Sequence, residues 1–417
     1  MKKCYLAIDI GASSGRHIVG WLDGGTLKLE EVYRFANGAE QRGGHLMWNA
    51  ARLEREVVNG LRSAAEQGYK PDYIGIDTWA VDYALLDGRG RIIGDIFSYR
   101  DGRTQRAAER VHEVLPFAKL YERTGIQYQP FNTVYQLYAD KLSGKLEGAA
   151  DFLMLPDYLN YCLTGVRRQE YTNATSTGMV NAKTHEWDDE IVAALGYDRK
   201  LFRPLSQPGT VVGGLKADIA KKVGYNATVL LPATHDTASA VLAAPVAFGE
   251  PYISSGTWSL LGVEQTFART DEGSRAANYS NEGSIRHTFR YQKNIMGLWM
   301  LQSVRKELGT TFPEMIEMAR GKQKKYVVDV NDERFLSPVS MMAEVCAASG
   351  CAPDAAEVVR TIYDSLALSY KQAVDELEAN TGASFGSIHI IGGGSRDGLL
   401  NGLTAEATGK RVVTGPV

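Results

Sequence analysis

The segment LPATHDTASAV, residues 231–241, places a carboxylate where an apolar stretch gives way to small residues that could begin a helix. Asp236 stands between His235 and Thr237, two side chains that can form hydrogen bonds with hydroxyl groups. Aspartate is common as a helix N-cap. It is also one of the residue types that act as a general base. The segment alone favours the N-cap, so a catalytic interpretation depends on the other motifs.

A Gly/Ser turn with the features of a phosphate-binding loop lies at residues 9–16, DIGASSGR. We expect Gly11 and Gly15 to permit positive φ angles and a close approach of the backbone to a ligand. Successive N–H groups in such a turn can surround phosphate oxygens, and the hydroxyls of Ser13 and Ser14 add donors. The segment has no Gly-Lys-Ser/Thr ending, and a strand follows it, which excludes a P-loop and a Rossmann fingerprint. The alternative is a hairpin turn that contains glycine and serine for structural reasons alone.

Two charged side chains flank this turn. Asp9 stands at the end of the preceding apolar segment, where a carboxylate can hold Mg²⁺ directly or through water. Arg16 follows the turn, and its guanidinium can bind a phosphate group through two parallel hydrogen bonds. Together they predict a site for a metal-bound polyphosphate.

Two later segments offer similar groups. A second Gly/Ser turn, ISSGTWSL at residues 253–260, repeats the layout of the first. Its small and polar residues are Ser254, Ser255, Gly256 and Thr257. The segment HIIGGGS, residues 389–395, ends in glycines on which a flat ring or a ribose can lie. Two such turns in equivalent places indicate a polyphosphate held from both sides, although one Gly-rich turn would need no ligand.

The composition excludes several classes of partner. The chain carries 46 basic and 49 acidic residues, a net charge of −3, which gives no electrostatic footprint for nucleic acid or an anionic membrane. The cysteines form no C-x-x-C pair and predict reduced thiols. No apolar segment reaches the roughly 18 residues of a membrane span, and the N-terminal apolar run stops at Asp9. We expect a cytoplasmic protein with a small-molecule substrate, either a monomer or a homodimer.

The elements that would position these side chains alternate between strands and helices. Apolar and alternating segments predict strands at residues 4–10, 17–23, 26–35 and 72–79. Amphipathic spacing predicts a helix over residues 51–68. This mixture is typical of an α/β fold.

The second half of the chain repeats the opening plan. Residues 251–264 form a strand, a Gly/Ser turn and another strand, as residues 5–22 do. A long amphipathic helix is predicted over 354–379, with Asp354 as N-cap and Gly382 as the stop. A duplicated α/β fold with a cleft between its halves would account for this repetition.

Other polar and aromatic residues allow more than one interpretation. Three carboxylates follow each other along a strand and a hairpin and are not expected to converge on a metal: Asp77, Asp82 and Asp87. Asp82 could equally face a sugar or support the fold. Three tryptophans could stack on a sugar or fill the core, and we favour the core for the last of them: Trp79, Trp258 and Trp299.

The chain resembles the FGGY family of carbohydrate kinases in blocks spread over its whole length. The blocks are GIDTWAVDYALLD (75–87), YRDGRT (99–104), GIQYQPFNTVYQL (125–137), LMLPDYLNYCLTG (153–165), EYTNATSTGMVN (170–181), THDTASAV (234–241), YISSGTWSLLG (252–262), KNIMGLWMLQ (293–302) and HIIGGGS (389–395). The resemblance implies an α/β protein of two actin-like (ribonuclease H-like) domains with a central cleft. It also implies a reaction in which ATP phosphorylates a ketose.

The resemblance assigns roles to individual residues. Asp236 would be the general base. With the other blocks in place, this role is favoured over that of an N-cap. The sugar would be bound by Ala80, His235, Thr237 and Asn294 together with Asp236. The nucleotide would be bound by Ala12, Ser13, Ser14, Gly15, Arg16, Thr257, Gln302 and Gly394. Asp9 would place Mg²⁺.

The chain departs from the family pattern at two places. Ala80 stands where the family usually has glycine against the sugar, and a one-methyl misfit is worth roughly 1–3 kcal/mol of discrimination. The identity of the sugar therefore stays open, and another ketose or a deoxy sugar is the alternative to the ketose that the motif blocks favour. The chain stops at Val417, where the family continues, so we expect a truncated C-terminal domain (246–417) after a sugar-binding N-terminal domain (1–245). A non-catalytic sugar- or nucleotide-binding protein is the remaining alternative.

Overall fold

The chain folds into two units of mixed α/β structure, as the sequence predicts. The computed structural model describes residues 3–415, so the chain end on which the truncation expectation rests, Pro416–Val417, lies outside the described residues. The first unit runs to Ser239 and includes Ala268–Thr270 and Asn281–Phe289, and the rest of the chain forms the second unit. Within residues 3–415 no helix combines the length and the hydropathy that a membrane span requires.

Strands and helices follow one another along both units. The strands are β1 (Cys4–Ile10), β2 (Ser14–Asp23), β3 (Thr26–Ala36), β4 (Glu40–Arg42), β5 (His45–Trp48), β6 (Tyr73–Thr78), β7 (Tyr83–Leu86), β8 (Ile96–Phe97), β9 (Asp151–Met154), β10 (Gln169–Glu170), β11 (Leu205–Ser206), β12 (Val211–Gly214), β13 (Thr228–Leu230), β14 (Tyr252–Ser255), β15 (Trp258–Gln265), β16 (Ser280–Gly283), β17 (Phe289–Met296), β18 (Ser387–Ile391) and β19 (Arg411–Thr414). The α-helices are α1 (Ala50–Glu66), α2 (Gln105–Val114), α3 (Phe117–Thr124), α4 (Thr133–Leu142), α5 (Leu155–Thr164), α6 (Tyr171–Thr175), α7 (Asp189–Ala194), α8 (Ala217–Val223), α9 (Asp236–Ala243), α10 (Glu272–Ala276), α11 (Trp299–Leu308), α12 (Phe312–Arg320), α13 (Met341–Ser349), α14 (Ala355–Thr381) and α15 (Gly398–Thr408).

The first large sheet has the strand order β12-β13-β6-β1-β2-β3. β1 pairs antiparallel with β2, which pairs antiparallel with β3, whereas β1 and β6 are parallel and β6 is parallel to β13. Leu6, Ile8 and Ile10 alternate along β1 with more exposed residues and are buried. This period of two places one face of β1 in the core and fixes its register.

The second large sheet repeats this plan with the order β16-β17-β15-β14-β18-β19. β14 and β15 form an antiparallel hairpin, and β14, β18 and β19 run parallel. The series β17-β15-β14-β18-β19 therefore matches β3-β2-β1-β6-β13, which confirms the predicted repetition. Helix α14 also confirms its prediction, because Asp354 accepts a hydrogen bond from Glu357 N (2.9 Å) and Gly382 ends the helix with φ of +69°.

The glycines of the first Gly/Ser turn do not have the positive φ angles that we expected of them. Neither Gly11 nor Gly15 has a positive φ. Gly15 lies opposite Phe35 in the β2–β3 ladder, and a Cβ atom at Gly15 would lie 2.2 Å from the Phe35 ring. The missing side chain therefore makes room for an aromatic ring of the neighbouring strand.

Asp82 supports the fold from within the core. Its Oδ2 atom accepts hydrogen bonds from Nε1 of Trp48 (2.6 Å) and of Trp79 (2.8 Å). The N–H of Tyr99 (3.2 Å) and Nε2 of Gln136 (3.0 Å) also donate to this carboxylate. Burial raises the pKa of Asp82 to about 6, although all four donors lower it. Of the two roles open from sequence, this geometry supports the structural one.

The backbone beside Asp82 is held in an unusual conformation. Val81 has a φ of +67°, which a β-branched residue rarely adopts. The N–H of Asp82 donates to the carbonyl of Ala80 (2.9 Å), and the carbonyl of Val81 accepts from Thr133 Oγ1 (2.7 Å). Asp87 lies in an exposed turn and pairs with Arg91, so the carboxylates of the hairpin do not converge.

Gly15→Ala is expected to lower the free energy of unfolding by about 1–3 kcal/mol, because its Cβ would overlap the Phe35 ring. Adding Phe35→Leu should restore most of the loss, as measured by urea denaturation. Gly38→Ala is the matched control, because a Cβ atom there would meet nothing within 4 Å. Equal stability of Gly15→Ala and Gly38→Ala would contradict the packing role.

Asp82→Ala should lower the free energy of unfolding by about 3 kcal/mol or more, because several buried donors lose their acceptor. Tryptophan fluorescence should change with it. Because the folded-state pKa is raised from 3.8 to about 6, ionisation of Asp82 costs stability as pH rises through that interval. The advantage of wild type over the variant should therefore be larger at the acidic end of the interval than at its neutral end. Asp218→Ala, on the exposed start of α8, is the control and should change little.

Candidate functional site

Three carboxylates of the first unit lie together at the carboxyl ends of the central strands of its large sheet. Asp9 and Asp77 are register partners at the carboxyl ends of the parallel strands β1 and β6. The segment before α9 extends this ladder, because Thr78 N donates to Thr234 O (3.0 Å) and Thr78 bridges to His235. Asp236 follows directly. Main-chain pairing thus brings the predicted metal residue and the predicted base to the same place.

The carboxylates in this row affect each other's ionisation. Burial raises the pKa of Asp77 well above its usual range, and the negative charges of Asp9 and Asp236 raise it further, whereas Arg16 opposes this. Arg16 Nε pairs with Asp9 Oδ2 at 2.8 Å. Asp77 was not among the predicted site residues. The shared Ile-Asp ending of the two strands could have indicated it, had they been aligned as parallel neighbours.

Asp236 is the first residue of α9 and is partly exposed, with 35% of its side-chain surface accessible. Its Oδ1 atom accepts from the N–H of the next residue, Thr237 (2.6 Å), and from the Thr237 hydroxyl (3.2 Å). An N-cap side chain would accept from an N–H two or three residues further on. Burial raises the pKa of Asp236, His235 lowers it and Asp9 raises it. The carboxylate therefore has a basic neighbour and access to solvent, so a substrate hydroxyl could approach it.

His235 lies between two carboxylates. Its Nδ1 atom is 2.9 Å from Oε2 of Glu282, and its Nε2 atom is 3.5 Å from Oδ1 of Asp236. The side chains of His235 and Glu282 are only 7% and 6% exposed. Sequence reasoning missed Glu282, and no local signal distinguishes it from other glutamates in the chain.

A buried glutamate anchors the segment that leads to His235. Oε2 of Glu170 accepts from the hydroxyl (2.6 Å) and the N–H (3.2 Å) of Thr234. The same carboxylate caps α6 through the N–H groups of Thr172 (2.8 Å) and Asn173 (3.0 Å). Because these contacts fix the backbone before His235, they also fix the direction of the side chains that follow.

The first Gly/Ser turn presents main-chain donors. Gly11 N donates to Ser14 O (2.9 Å), and the carbonyls of Gly11 and Ser13 accept from Asn37 Nδ2 (2.8 Å) and Asn37 N (2.9 Å). The N–H groups of Ala12 and Ser13 find no acceptor among residues 3–415. Free N–H groups in a fixed turn suit an anion, so the geometry fits the predicted phosphate loop.

The second Gly/Ser turn, in the second unit, has a similar arrangement. Gly256 N donates to Trp258 O (2.8 Å), and within the described chain the N–H of Thr257 has no acceptor. The start of α11 rests on this turn, because Trp299 N donates to Thr257 O (3.2 Å). Gln302 lies on the same helix, one turn further on.

The glycines after β18 close on the second turn. A Cβ atom at Gly394 would lie 2.0 Å from Ser255 Oγ, and one at Gly392 would lie 2.9 Å from Ser255 O. A Cβ at Gly393 would meet nothing within 4 Å, so that residue presents an open backbone face. Packing explains two of the three glycines, and the third leaves room for a flat group.

The remaining predicted residues lie in different surroundings. Ala80 follows β6 in the first unit, two residues after Thr78, which pairs with His235. Asn294 lies on β17 and belongs to the second unit. Trp79 is buried against Trp48, with ring centroids 4.3 Å apart. Trp258 and Trp299 pack against the core of the second unit, and Nε1 of the latter donates to Phe335 O (3.0 Å), as favoured from sequence.

Sequence comparison relates the whole chain to one family. The N-terminal domain of the FGGY family of carbohydrate kinases matches residues 4–243, and the C-terminal domain of that family matches residues 251–417. A rhamnulokinase of Oceanobacillus iheyensis is 44% identical over 100% of this chain and 90% of its own length. A rhamnulokinase of Bacillus subtilis is 41% identical over 99% of this chain and 87% of its own.

Solved structures share the fold. A ligand-bound xylulose kinase from Lactobacillus acidophilus superimposes with a TM-score of 0.82 at 16% identity, covering 99% of this chain and 86% of that one. Plasmodium falciparum glycerol kinase with ADP gives a TM-score of 0.75 at 14% identity, covering 100% and 87%. Because both family domains match in order and relatives above 40% identity span the chain, the protein belongs to the FGGY family of carbohydrate kinases.

Proposed function

We propose that the protein is an ATP-dependent sugar kinase that phosphorylates the 1-hydroxyl of L-rhamnulose, giving L-rhamnulose 1-phosphate and ADP, in L-rhamnose catabolism. The names of its full-length relatives support this substrate. The observation that carries the proposal is the Asp236 carboxylate, which is partly exposed, precedes the body of α9 and lies beside His235.

Asp236 would accept the proton of the attacking hydroxyl. Phosphoryl transfer has a loose transition state, so the base needs correct position and an ionised carboxylate more than high basicity. Burial raises the pKa of Asp236 overall, and His235 opposes this rise and so favours the ionised form. His235, Thr237, Ala80 and Asn294 would bind the sugar.

The nucleotide would be held by main-chain donors from both Gly/Ser turns. Ala12 and Ser13 offer unused N–H groups in the first turn, and Thr257 offers one in the second. Ser14, Gly15 and Arg16 complete the first phosphate loop in this assignment. The open face at Gly393 supports a nucleotide position beside Gly394 and Gln302. These groups fit a polyphosphate, since backbone N–H groups and a guanidinium complement its charge.

Asp9 is the proposed residue for Mg²⁺, which would neutralise phosphate charge. Among residues 3–415 no group of three or more His, Cys, Asp or Glu side chains is arranged to hold a metal. Mg²⁺ usually takes one or two carboxylates together with substrate phosphates and water, so one aspartate fits this use. Arg16 holds Asp9 in place through the ion pair at 2.8 Å.

The proposal also covers the division of labour between the two domains and the place where the protein acts. Residues 1–245 would form the domain with the sugar site, the first phosphate loop and the base, and residues 246–417 would form the nucleotide domain. The protein would act in the cytoplasm as a monomer or a homodimer. A kinase for another ketose or deoxy sugar is the second candidate, and Ala80 is the observation that favours it.

Asp236→Asn should lower kcat with L-rhamnulose roughly 100- to 10,000-fold, because the amide cannot accept the hydroxyl proton. ADP release with Mg·ATP and a panel of ketoses provides the assay. Binding of L-rhamnulose, measured by calorimetry, should change only a few-fold. Asp218→Asn, on the exposed start of α8, is the control and should keep wild-type kcat.

The panel separates the alternatives. Turnover with another ketose, but not with L-rhamnulose, would assign the enzyme to the second candidate. Sugar binding without ADP release from the wild type would make the protein a non-catalytic binder. An Asp236→Asn variant that keeps more than a tenth of wild-type kcat would remove Asp236 from the role of base.

A further inference from the structure

Glu282 reaches the site from a part of the chain distant in sequence from His235. Its neighbours are fixed within the first unit. Asn281 N and Asn281 Nδ2 both donate to Gly125 O, at 2.8 and 2.9 Å. Gly283 N donates to Thr175 Oγ1 (2.8 Å), and a Cβ atom at Gly283 would lie 2.4 Å from the Tyr171 ring. The backbone on both sides is anchored, so the direction of the Glu282 side chain is built into the fold.

The contact with His235 has a chemical consequence. An ionised carboxylate can only accept hydrogen bonds. With Glu282 ionised, Nδ1 of His235, 2.9 Å from Oε2, carries a proton and donates it to the carboxylate. A neutral imidazole has two tautomers, and the partner of one nitrogen decides which form is present. Glu282 thus excludes the tautomer in which Nδ1 is bare, and it holds Nε2 at the side of Asp236.

We propose that Glu282 is a positioning residue of the kinase reaction. It acts through His235, the side chain that would bind the sugar and that lies beside the proposed base, Asp236. The inference rests on the proposed function. Without Glu282, Nδ1 would lose this acceptor, and the preference for the tautomer with a protonated Nδ1 would weaken. The hydrogen bond from His235 to the sugar and its effect on Asp236 would then be lost in part of the molecules.

The test combines kinetics with ¹⁵N NMR of the histidine rings. In wild type the His235 signal, assigned by its loss in His235→Gln, should show a protonated Nδ1. Glu282→Ala should give a signal with bare Nδ1 and lower kcat/KM for L-rhamnulose roughly 10- to 100-fold, since misplacement of about 1 Å can cost this much. KM for ATP should stay within two-fold of wild type, because the proposal places His235 at the sugar and not at the nucleotide.

Two further variants define the role. Glu282→Gln keeps an oxygen that can accept from Nδ1–H, so it should recover part of the activity lost in Glu282→Ala. Glu186→Gln, an exposed glutamate of the same unit, is the control and should leave both readouts unchanged.

The outcomes separate the inference from the proposed function. A wild-type spectrum with bare Nδ1, or a Glu282→Ala variant that loses only thermal stability, would overturn the role of Glu282. Absence of turnover with every ketose, combined with the expected change of the His235 signal, would refute the proposed function and leave the fixed tautomer standing.

A second inference comes from two cysteines of the second unit. Cys346 lies on α13 and Cys351 follows the end of that helix, and their Sγ atoms are 3.6 Å apart. Gly350 ends the helix with φ of +72°, and its N–H donates to Cys346 O (2.8 Å). Helices that end in this way often have an apolar contact across the stop, and here two thiols supply it.

We infer that Cys346 and Cys351 form a site of reversible oxidation to a disulfide. With hydrogen peroxide as oxidant, one thiolate takes an oxygen atom and hydroxide leaves, and the second thiolate then displaces that oxygen as hydroxide. Two thiols and one peroxide give one disulfide and two molecules of water. The sulfurs must approach by about 1.5 Å, since a disulfide bond is about 2.0 Å long. Cys346 is half-buried, so the reagent can reach it.

The reaction rate should depend on pH. Burial, and then the neighbouring Cys351, raise the pKa of Cys346 to about 11, so its thiolate is scarce near neutrality. Since the thiolate is the reactive form, oxidation should be slow at neutral pH and become faster as pH rises. Peroxide treatment, alkylation of the remaining thiols and peptide mass mapping measure the linkage.

Wild type should show a linked Cys346–Cys351 peptide that has lost two hydrogen atoms and regains them with a reducing agent. Cys162→Ser, which removes a buried cysteine outside the pair, is the control and should give the same linkage. Cys346→Ser should abolish it. Overoxidation of single cysteines without this linkage across the pH series would show that the contact is apolar packing alone.

Discussion

The parallel pairing of β1 with β6 is the constraint on which the carboxylate site depends. It makes Asp9 and Asp77 register partners, and the hydrogen bond from Thr78 N to Thr234 O adds the segment that carries His235 and Asp236. A slip of one residue would move each side chain to the opposite face of the sheet. The alternating core residues of β1 resist such a slip, because it would bring Leu6, Ile8 and Ile10 into solvent. Hydrophobic burial thus sets the register that the chemistry uses.

Charge balance is the second constraint on this site. Carboxylates brought close together repel each other, so either one of them takes a proton or a cation lies among them. Burial and its neighbours raise the pKa of Asp77, which favours its protonated form. Arg16 pairs with Asp9, and His235 lies between Glu282 and Asp236. Asp9, Asp236 and Glu282 therefore each have a basic neighbour, whereas the pKa of Asp77 is raised by its burial and by the charges of Asp9 and Asp236.

The two units show how one fold can carry different chemistry. Asp9 stands two residues before Gly11 in the first turn, and Ser254 stands two residues before Gly256 in the second. Within residues 3–415 both turns have N–H groups without an acceptor, but only the first has a carboxylate at this position. Five strands follow the same order in both sheets, so the difference at the two turns lies in side chains at equivalent places rather than in the shared architecture. Duplication thus explains the paired Gly/Ser turns and not the position of Asp236.

The sequence by itself determined the local features of this protein. Periodicity predicted the hairpin strands and the caps of α14, and the motif blocks indicated the family and Asp236, because such signals are contained within short segments. Tertiary structure decided the surroundings of Asp77, Glu282 and Asp82, whose partners are distant in the chain. It also corrected Gly15, since the ring that requires a glycine there belongs to the next strand. Sequence spacing carries information about a residue's own element, whereas a charge or a ring that reaches it from elsewhere becomes visible only once the chain is folded.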